Sequence, residues 1–399
     1  MGEKSVMMVI PQMVGGGAER VAAMLLNEFH RSGFEASFLL THSKREEIVN
    51  RDLDPDIPLI LLQERCGGRK NGLGAKLSKV GSSAFSHLFE MLGRPVPAGI
   101  ARWSFGCLYE EEIKQVREIL LENPEMTVVV FSQPAIPIVL LAAKGLRNRI
   151  VMSERADPKR LMGKRYGRKF IEKYYGRVDA AVFQTEDAKR TYPDCVSEKG
   201  RVIFNPLKEG LPQPYDGERR KTVVTFCRIS AQKNLPLLLE AFRRLHGDHP
   251  DYLLRIIGDA VSDADKKLET ELKAFVAEKG IGESVSFEPF SPDVHELILS
   301  DGMYVNSSDF EGMSNAMLES MAIGLPTVCT DCPIGGANAA IRDGENGLLT
   351  PVGDAEALYR AMKRVIEEPG LAEKLSESGR KLRDELRLEA VAKKWMELL

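Results

Sequence analysis

No stretch of the sequence approaches the roughly 20 apolar residues that a membrane-crossing helix needs. The first apolar run, Val6 to Ile10, follows Met1-Gly2-Glu3-Lys4 directly; it is too short for a signal-peptide core and has the length of a buried strand. Neither sign of charge is in excess. Against 55 Lys and Arg stand 58 Asp and Glu, a formal net charge of −3, so no nucleic acid partner is expected and any anion must be met locally. Cysteine is scarce: Cys66, Cys107, Cys195, Cys227, Cys329 and Cys332 form no disulfide framework, and a reducing cytoplasm is the expected home. Cys329-x-x-Cys332 has metal-binding spacing, but zinc needs two more ligands; there is no second pair and no histidine nearby in sequence, so the pair reads as structural. Also missing are the dinucleotide fingerprint G-x-G-x-x-G and the Walker P-loop, whose lysine precedes serine or threonine. Asp52-x-Asp54-x-Asp56 superficially resembles a metal chelator. It sits among Pro55 and Pro58 before the apolar run Leu59–Leu62 and reads as a loop of solvated acids, so no metal is expected.

The length of 399 residues suits two domains, and the composition, 43% hydrophobic and 28% charged, is that of a globular protein. Short apolar runs alternate with longer amphipathic ones, the pattern of βαβ units and parallel sheets. Strands are predicted at Val6–Ile10, Ala36–Leu40, Thr127–Phe131, Ile150–Met152 and Ala180–Phe183, with helices such as Ala18–Ser32 and Glu110–Glu122 between them. The segment from Asn205 to Pro214, with three prolines and a glycine, reads as a linker. The alternation then restarts with strands at Thr222–Cys227, Tyr252–Ile257, Val285–Phe287, Met303–Asn306 and Thr327–Cys329. Helices are predicted at Leu235–His246, Asp265–Lys279, Asn315–Ile323, Ala355–Glu367 and Leu371–Leu399. Two doubly wound α/β modules fit this pattern, with a ligand in the cleft between them at the strands' carboxyl ends. Two basic runs interleaved with apolar residues, 65–102 and 159–177, suit peripheral contact with an anionic membrane or a phosphate-bearing lipid, or else a solvated face.

Three constellations carry chemistry. Gly15-Gly16-Gly17-Ala18-Glu19-Arg20 follows the first strand and opens a helix, where unpaired N–H groups attract an anion; a tight turn is the alternative reading. Arg228 and Lys233 flank the loop after strand Thr222–Cys227, and two cations there can hold a diphosphate and stabilise the charge growing on it as it leaves. The most informative run is 307–322. Glu311 lies on a loop and Glu319 one turn into a helix capped by Ser314 or Asn315, so the first carboxylate can accept from sugar hydroxyls and the second from a ribose diol.

These residues resemble glycosyltransferase family 4, the retaining enzymes of GT-B fold. The resemblance is carried by G-G-G-A-E-R at 15–20, R-I-S-A-Q-K-N at 228–234, I-I-G-D at 256–259, D-F-E-G-M-S-N-A-M-L-E-S-M-A at 309–322, G-L-P-T-V at 324–328 and D-G-E-N-G-L-L at 343–349. It implies an α/β GT-B chain of two Rossmann-like domains facing across a cleft. An acceptor-binding domain would span 1–205, a donor-binding domain 206–380, and a C-terminal helix, 381–399, would return to the first. It also implies a donor that is a nucleotide diphosphate sugar, with UDP-hexose or UDP-N-acetylhexosamine preferred, and a glycan or polyprenyl-diphosphate-linked acceptor at the inner face of the cell membrane. Arg228 and Lys233 would grip the diphosphate, Glu319 the ribose, and Glu311 the transferred sugar. Gly312, Met313, Ser314 and Asn315 would line sugar and phosphates, and Gly16 and Gly17 would close over the diphosphate. Ser153-Glu154-Arg155 resembles a segment of family members that build bacterial surface polysaccharides. Glu154 or Arg155 would touch the acceptor or the sugar, or the two would simply form an ion pair. Where many relatives carry Pro-Arg-Glu after Gly336, this chain has Ala337-Asn338-Ala339, a departure that bears on sugar selectivity. An epimerase or phosphorylase on the same fold, or a non-catalytic nucleotide-sugar-binding subunit, is the alternative.

Overall fold

The computed structural model describes residues 4–49, 52–65, 97–133, 135–155 and 167–399. The chain divides into two compact units: Met1–Pro206 with Leu388–Leu399, and Leu207–Arg387.

The first unit is built on a seven-stranded parallel sheet. Its strands are β1 (Ser5–Ile10), β2 (Glu35–Leu40), β3 (Leu59–Leu61), β4 (Thr127–Phe131), β5 (Ile150–Ser153), β6 (Ala180–Phe183) and β7 (Gly200–Val202), in the order β3-β2-β1-β4-β5-β6-β7. The second unit repeats the plan with β8 (Thr222–Phe226), β9 (Leu253–Ile257), β10 (Val285–Glu288), β11 (Met303–Asn306), β12 (Thr327–Thr330) and β13 (Leu348–Thr350), in the order β10-β9-β8-β11-β12-β13. Helices used below are α1 (Gly17–Arg31), α2 (Leu235–Asp248), α3 (Val294–Ile298), α4 (Asn315–Ala322) and α5 (Leu388–Met396).

Central strands such as β4 are buried along their whole length, which continuous Val, Phe and Ile runs permit and a sheet covered on both faces requires. In both sheets the winding reverses beside the first strand, between β1 and β4 and between β8 and β11. Loops leaving the carboxyl ends of such a pair diverge, and the crevice they leave is where open α/β sheets bind ligands. At the opposite end of the second sheet, buried Asp301 ties strand starts together. It accepts from the Thr222 hydroxyl at 2.8 Å and from Arg255 Nη1 at 2.7 Å.

Three strands escape the sequence pattern: β3, β7 and β13. Each has three residues and each lies at a sheet edge, where a short strand shows no alternation and limits edge-to-edge association. The expected single helix Leu371–Leu399 is instead three, Leu371–Gly379, Leu382–Glu385 and α5. The last break has a local cause, since the Leu386 carbonyl accepts from the Leu207 N–H at 2.9 Å rather than from the next helical turn.

Helix α5 completes the core of the first unit. Trp395 is fully buried and stacks on Phe131 at the end of β4, with ring centroids 5.6 Å apart. Trp395→Ala is expected to cost the first unit about 3–5 kcal/mol, read by chemical denaturation; a loss below about 1 kcal/mol would contradict this packing. In the second unit, burial pushes the Cys329 thiol well up and the Cys332 thiol to about 11, and Cys332 lies 3.0 Å from the Ser308 carbonyl. Both cysteines are expected to resist thiol reagents at pH 7.5 in the native protein and to react on denaturation. Rapid native labelling would show the pair to be accessible and reactive.

Candidate functional site

The carboxyl ends of β8 and β11, the two strands at the reversal of the second sheet, are laced together. After β8 the chain runs through Arg228 to Ser230, makes the 3-10 turn Ala231–Lys233, and enters α2 through Asn234. Asn234 takes a left-handed conformation (φ 43°), which asparagine tolerates. Its amide oxygen accepts from the Leu237 N–H at 3.3 Å and its Nδ2 donates to Asp309 at 2.6 Å. From the loop after β11, the Asp309 N–H donates to the Gln232 carbonyl at 3.0 Å, and the Ser307 hydroxyl donates to the Lys233 carbonyl at 2.9 Å. Gln232 Nε2 returns a bond to the Phe310 carbonyl at 2.9 Å.

This lacing brings Lys233 and Glu311 into direct contact. The ammonium donates to Glu311 Oε1, whose other neighbours are the Ser308 hydroxyl at 3.0 Å from Oε1 and Gln232 Nε2 at 3.4 Å from Oε2. Side chains of the pair are 20% and 15% exposed, so their attraction is only partly screened. Burial works to lower the Lys233 pKa, but the charge and hydrogen bond of Glu311 outweigh it, and the ammonium sits above its usual value. It is therefore a fixed cation at neutral pH. Arg228 differs: its side chain is exposed, with no hydrogen bond or ion pair among the described residues.

Helix α4 begins as the sequence suggests. Ser314 is the N-cap, its hydroxyl accepting from the Met317 N–H at 3.3 Å and receiving Asn306 Nδ2 at 3.3 Å. Gly312, Met313 and Asn315 flank it. Against this loop lies Gly336, whose N–H donates to the Gly312 carbonyl at 2.6 Å. A Cβ at Gly336 would fall 2.7 Å from the Met313 Cα, so only glycine fits the approach. Two residues earlier Ile334 is held at φ 61°, a genuine outlier for a β-branched residue and the kind of strain that functional loops store. Glu319, in the second turn of α4, is 2% exposed. Its Oε2 lies 2.8 Å from His295 Nε2, on α3, and His295 is itself 4% exposed. Sequence reasoning missed His295. Nothing in the spacing of a histidine eight residues before β11 points to it.

In the first unit the glycine loop is a tight turn as well as a helix start: Gly15 has φ +89°. The amides of Val14 and Gly16 both donate to Glu19 Oε2, at 2.6 and 2.7 Å. Of the two glycines expected to close over a diphosphate, Gly16 thus already donates to a carboxylate of the same loop, while Gly17 begins α1. Glu154 and Arg155, at the end of β5, do not pair side chain to side chain. Glu154 is 2% exposed; its Oε2 accepts from the Tyr192 hydroxyl at 2.5 Å and its Oε1 from the Arg155 N–H at 2.9 Å. The Arg155 guanidinium lies over Phe131, 4.1 Å from the ring centroid, and 5.4 Å from that of Trp395, donating to Asn205 at 2.7 Å. Burial pulls its pKa down to about 9, against the pull of Glu154. Of the two readings, the simple ion pair gives way to a stacked cation and a tyrosine-bound acid.

Asp54 accepts from the Asp56 N–H at 3.0 Å and organises its own turn, in line with a loop of solvated acids. The basic run 65–102 falls mostly outside the described residues, as does 159–166 of the second run; Lys169 and Lys173 are exposed. No described helix is long and apolar enough to cross a membrane.

Residues 212–382 match the family model "Glycosyl transferases group 1". The chain is 32% identical over 235 residues to the lipopolysaccharide core biosynthesis glycosyltransferase LpsE of Rhizobium meliloti, covering 57% of this chain and 65% of the relative. It is 26% identical over 242 residues to the N-acetylgalactosamine-N,N'-diacetylbacillosaminyl-diphospho-undecaprenol 4-alpha-N-acetylgalactosaminyltransferase of Campylobacter jejuni, covering 57% of this chain and 63% of that one. The chain therefore spans less than two thirds of either relative's length. Among solved structures it superimposes on Anabaena HepE, in complex with UDP and glucose, with a TM-score of 0.72 at 16% identity, covering 99% of both chains. The family match falls on the second unit, over residues 212–382, and the chain as a whole has the two-sheet GT-B fold.

Proposed function

We propose that the protein is a retaining glycosyltransferase of family 4. It would move a hexose or N-acetylhexosamine from a UDP-sugar to a glycan or lipid-linked acceptor in bacterial polysaccharide assembly. The observation that carries this reading is the Lys233–Glu311 pair, held by two loops at the reversal of the second sheet beside exposed Arg228. An ammonium has three donors, so Lys233 can keep Glu311 and still bind a phosphate oxygen. Arg228 offers the second, planar cation. Support for the substrate class comes from the relatives' names and from the UDP and glucose in the HepE complex.

In this reading Arg228 and Lys233 grip the diphosphate and stabilise the negative charge that develops on it as the sugar departs, which is the dominant electrostatic demand of the reaction. The amides opening α4 behind Ser314 add a helix N-terminus to that field. Glu311 accepts hydroxyls of the transferred sugar, Glu319 takes the ribose diol, and Gly312, Met313 and Asn315 line the space between. Retention follows if the departing phosphate oxygen accepts the acceptor's proton on the face it leaves, so that no protein carboxylate need attack the anomeric carbon. No metal is required, since two protein cations already supply the positive charge. The first unit contributes the acceptor side, with Glu154 shaping the end of β5 and Arg155 held against Phe131 and Trp395. Exposed Lys169 and Lys173 suit contact with an anionic surface.

Two outcomes test this. Purified protein incubated with UDP- and GDP-sugars and a polyprenyl-diphosphate-linked glycan should transfer sugar with its α or β configuration preserved; inversion, or turnover only without acceptor, would contradict the reading. Lys233→Ala should lower kcat by about 10²–10³, the usual loss for a preorganised charge donor. A near-wild-type rate would remove Lys233 from the reaction.

A further inference from the structure

We propose that His295 is a positioning residue: it fixes the Glu319 carboxylate in the orientation that receives a nucleotide's ribose diol, and so sets the preference of the site for ribonucleotides. The inference rests on the assignment of Glu319 to the ribose.

Glu319 sits inside α4 at 2% exposure, and a carboxylate so placed is stable only when donors replace the water it has lost. His295, at 4% exposure, lies 2.8 Å from Oε2, a good hydrogen-bond length for an imidazole N–H donating to a carboxylate. The two residues come from different elements, α3 before β11 and α4 after it, so their meeting depends on the fold and not on local sequence. The imidazole is held in its turn. The Phe226 ring, at the end of β8, meets it edge to face with centroids 5.5 Å apart, and Tyr304 of β11 packs on the same Phe226 at 5.3 Å. His295 therefore has little freedom to follow a carboxylate that turns.

Geometry then gives the function. A vicinal diol is read by the two oxygens of one carboxylate in a defined plane, and a carboxylate free to rotate about its last bond offers that plane only part of the time. A bond from a clamped imidazole to Oε2 selects one rotation. Each carboxylate oxygen has two acceptor directions, so Oε2 can serve His295 and a hydroxyl together. His295 would not touch the sugar being moved, and its removal should weaken binding of the nucleotide portion much more than it slows the chemical step.

The experiment measures affinity by calorimetry for UDP, 2′-deoxy-UDP and 3′-deoxy-UDP, on the wild-type protein and on His295→Ala, His295→Phe and His295→Gln. GDP and its deoxy forms are used if the wild type binds GDP instead. The wild type should bind the ribonucleotide about 10- to 100-fold more tightly than either deoxy form, as expected for hydrogen bonds to a charged group. In His295→Ala that ratio should fall to within about threefold, while affinity for the deoxy forms stays near wild type. His295→Phe keeps a ring against Phe226 but has no donor, and should behave like alanine even if the smaller variant folds poorly. His295→Gln restores an N–H donor and should recover most of the ratio. In turnover, His295→Phe should raise the donor KM at least tenfold with kcat changed by less than about threefold. A wild-type protein that fails to tell ribo from deoxy nucleotides, or binds neither UDP nor GDP, would overturn the assignment of Glu319 and this inference with it. A wild type that discriminates, with His295→Phe discriminating equally well, would overturn the role of His295 alone.

Discussion

Everything distinctive about the second unit depends on one charge contact between adjacent strand ends. Lys233 leaves the β8 side and Glu311 the β11 side, and they meet where the sheet reverses its winding. Parallel strands at such a reversal send their loops apart, so a contact between them has to be built. Here Asp309, Gln232, Ser307 and Asn234 build it, mostly through backbone groups. The result is a cation held above its usual pKa and kept in place by loops with little freedom to drift. Preorganisation of this kind is what makes a single lysine effective against a developing negative charge.

Around that contact the remaining features divide into those that hold and those that offer. Ser314, Gly336 and strained Ile334 hold the loop before α4 in one shape. Arg228, exposed beside them, is the group proposed to meet an anion. In the first unit the balance is different. Glu19 already accepts from the Val14 and Gly16 amides, and Glu154 and Arg155 are committed to Tyr192, Phe131 and Asn205. The two units share a fold plan, and each places buried polar pairs near its strand ends, with exposed Arg228 added in the second.

Much of this was legible in the sequence. Apolar runs marked β1, β4, β6 and β11 because buried parallel strands are apolar throughout, and the start of α4 was legible to within one residue, since Ser314 and Asn315 are both capping residues. Lys233, Glu311 and Glu319 stood out through their family resemblance. What was not legible came from contacts between distant residues. Edge strands β3, β7 and β13 are too short to leave a pattern. The break before α5 turns on a carbonyl spent on Leu207, and His295 acquires meaning only when α3 is folded against α4. The alternative of a simple Glu154–Arg155 ion pair came from adjacency alone, and adjacency does not reveal that Phe131 and Trp395 take the guanidinium.

If the second unit holds a nucleotide diphosphate as proposed, charge on the diphosphate, and not the base or the sugar, is its main handle. Titrating uridine and UDP into the wild-type protein and into the Arg228→Ala, Lys233→Ala double variant measures this directly. UDP should bind the wild type at least 100-fold more tightly than uridine, and the gap should shrink to less than about tenfold in the double variant. Equal affinity for uridine and UDP in the wild type, or an undiminished gap in the double variant, would contradict the account.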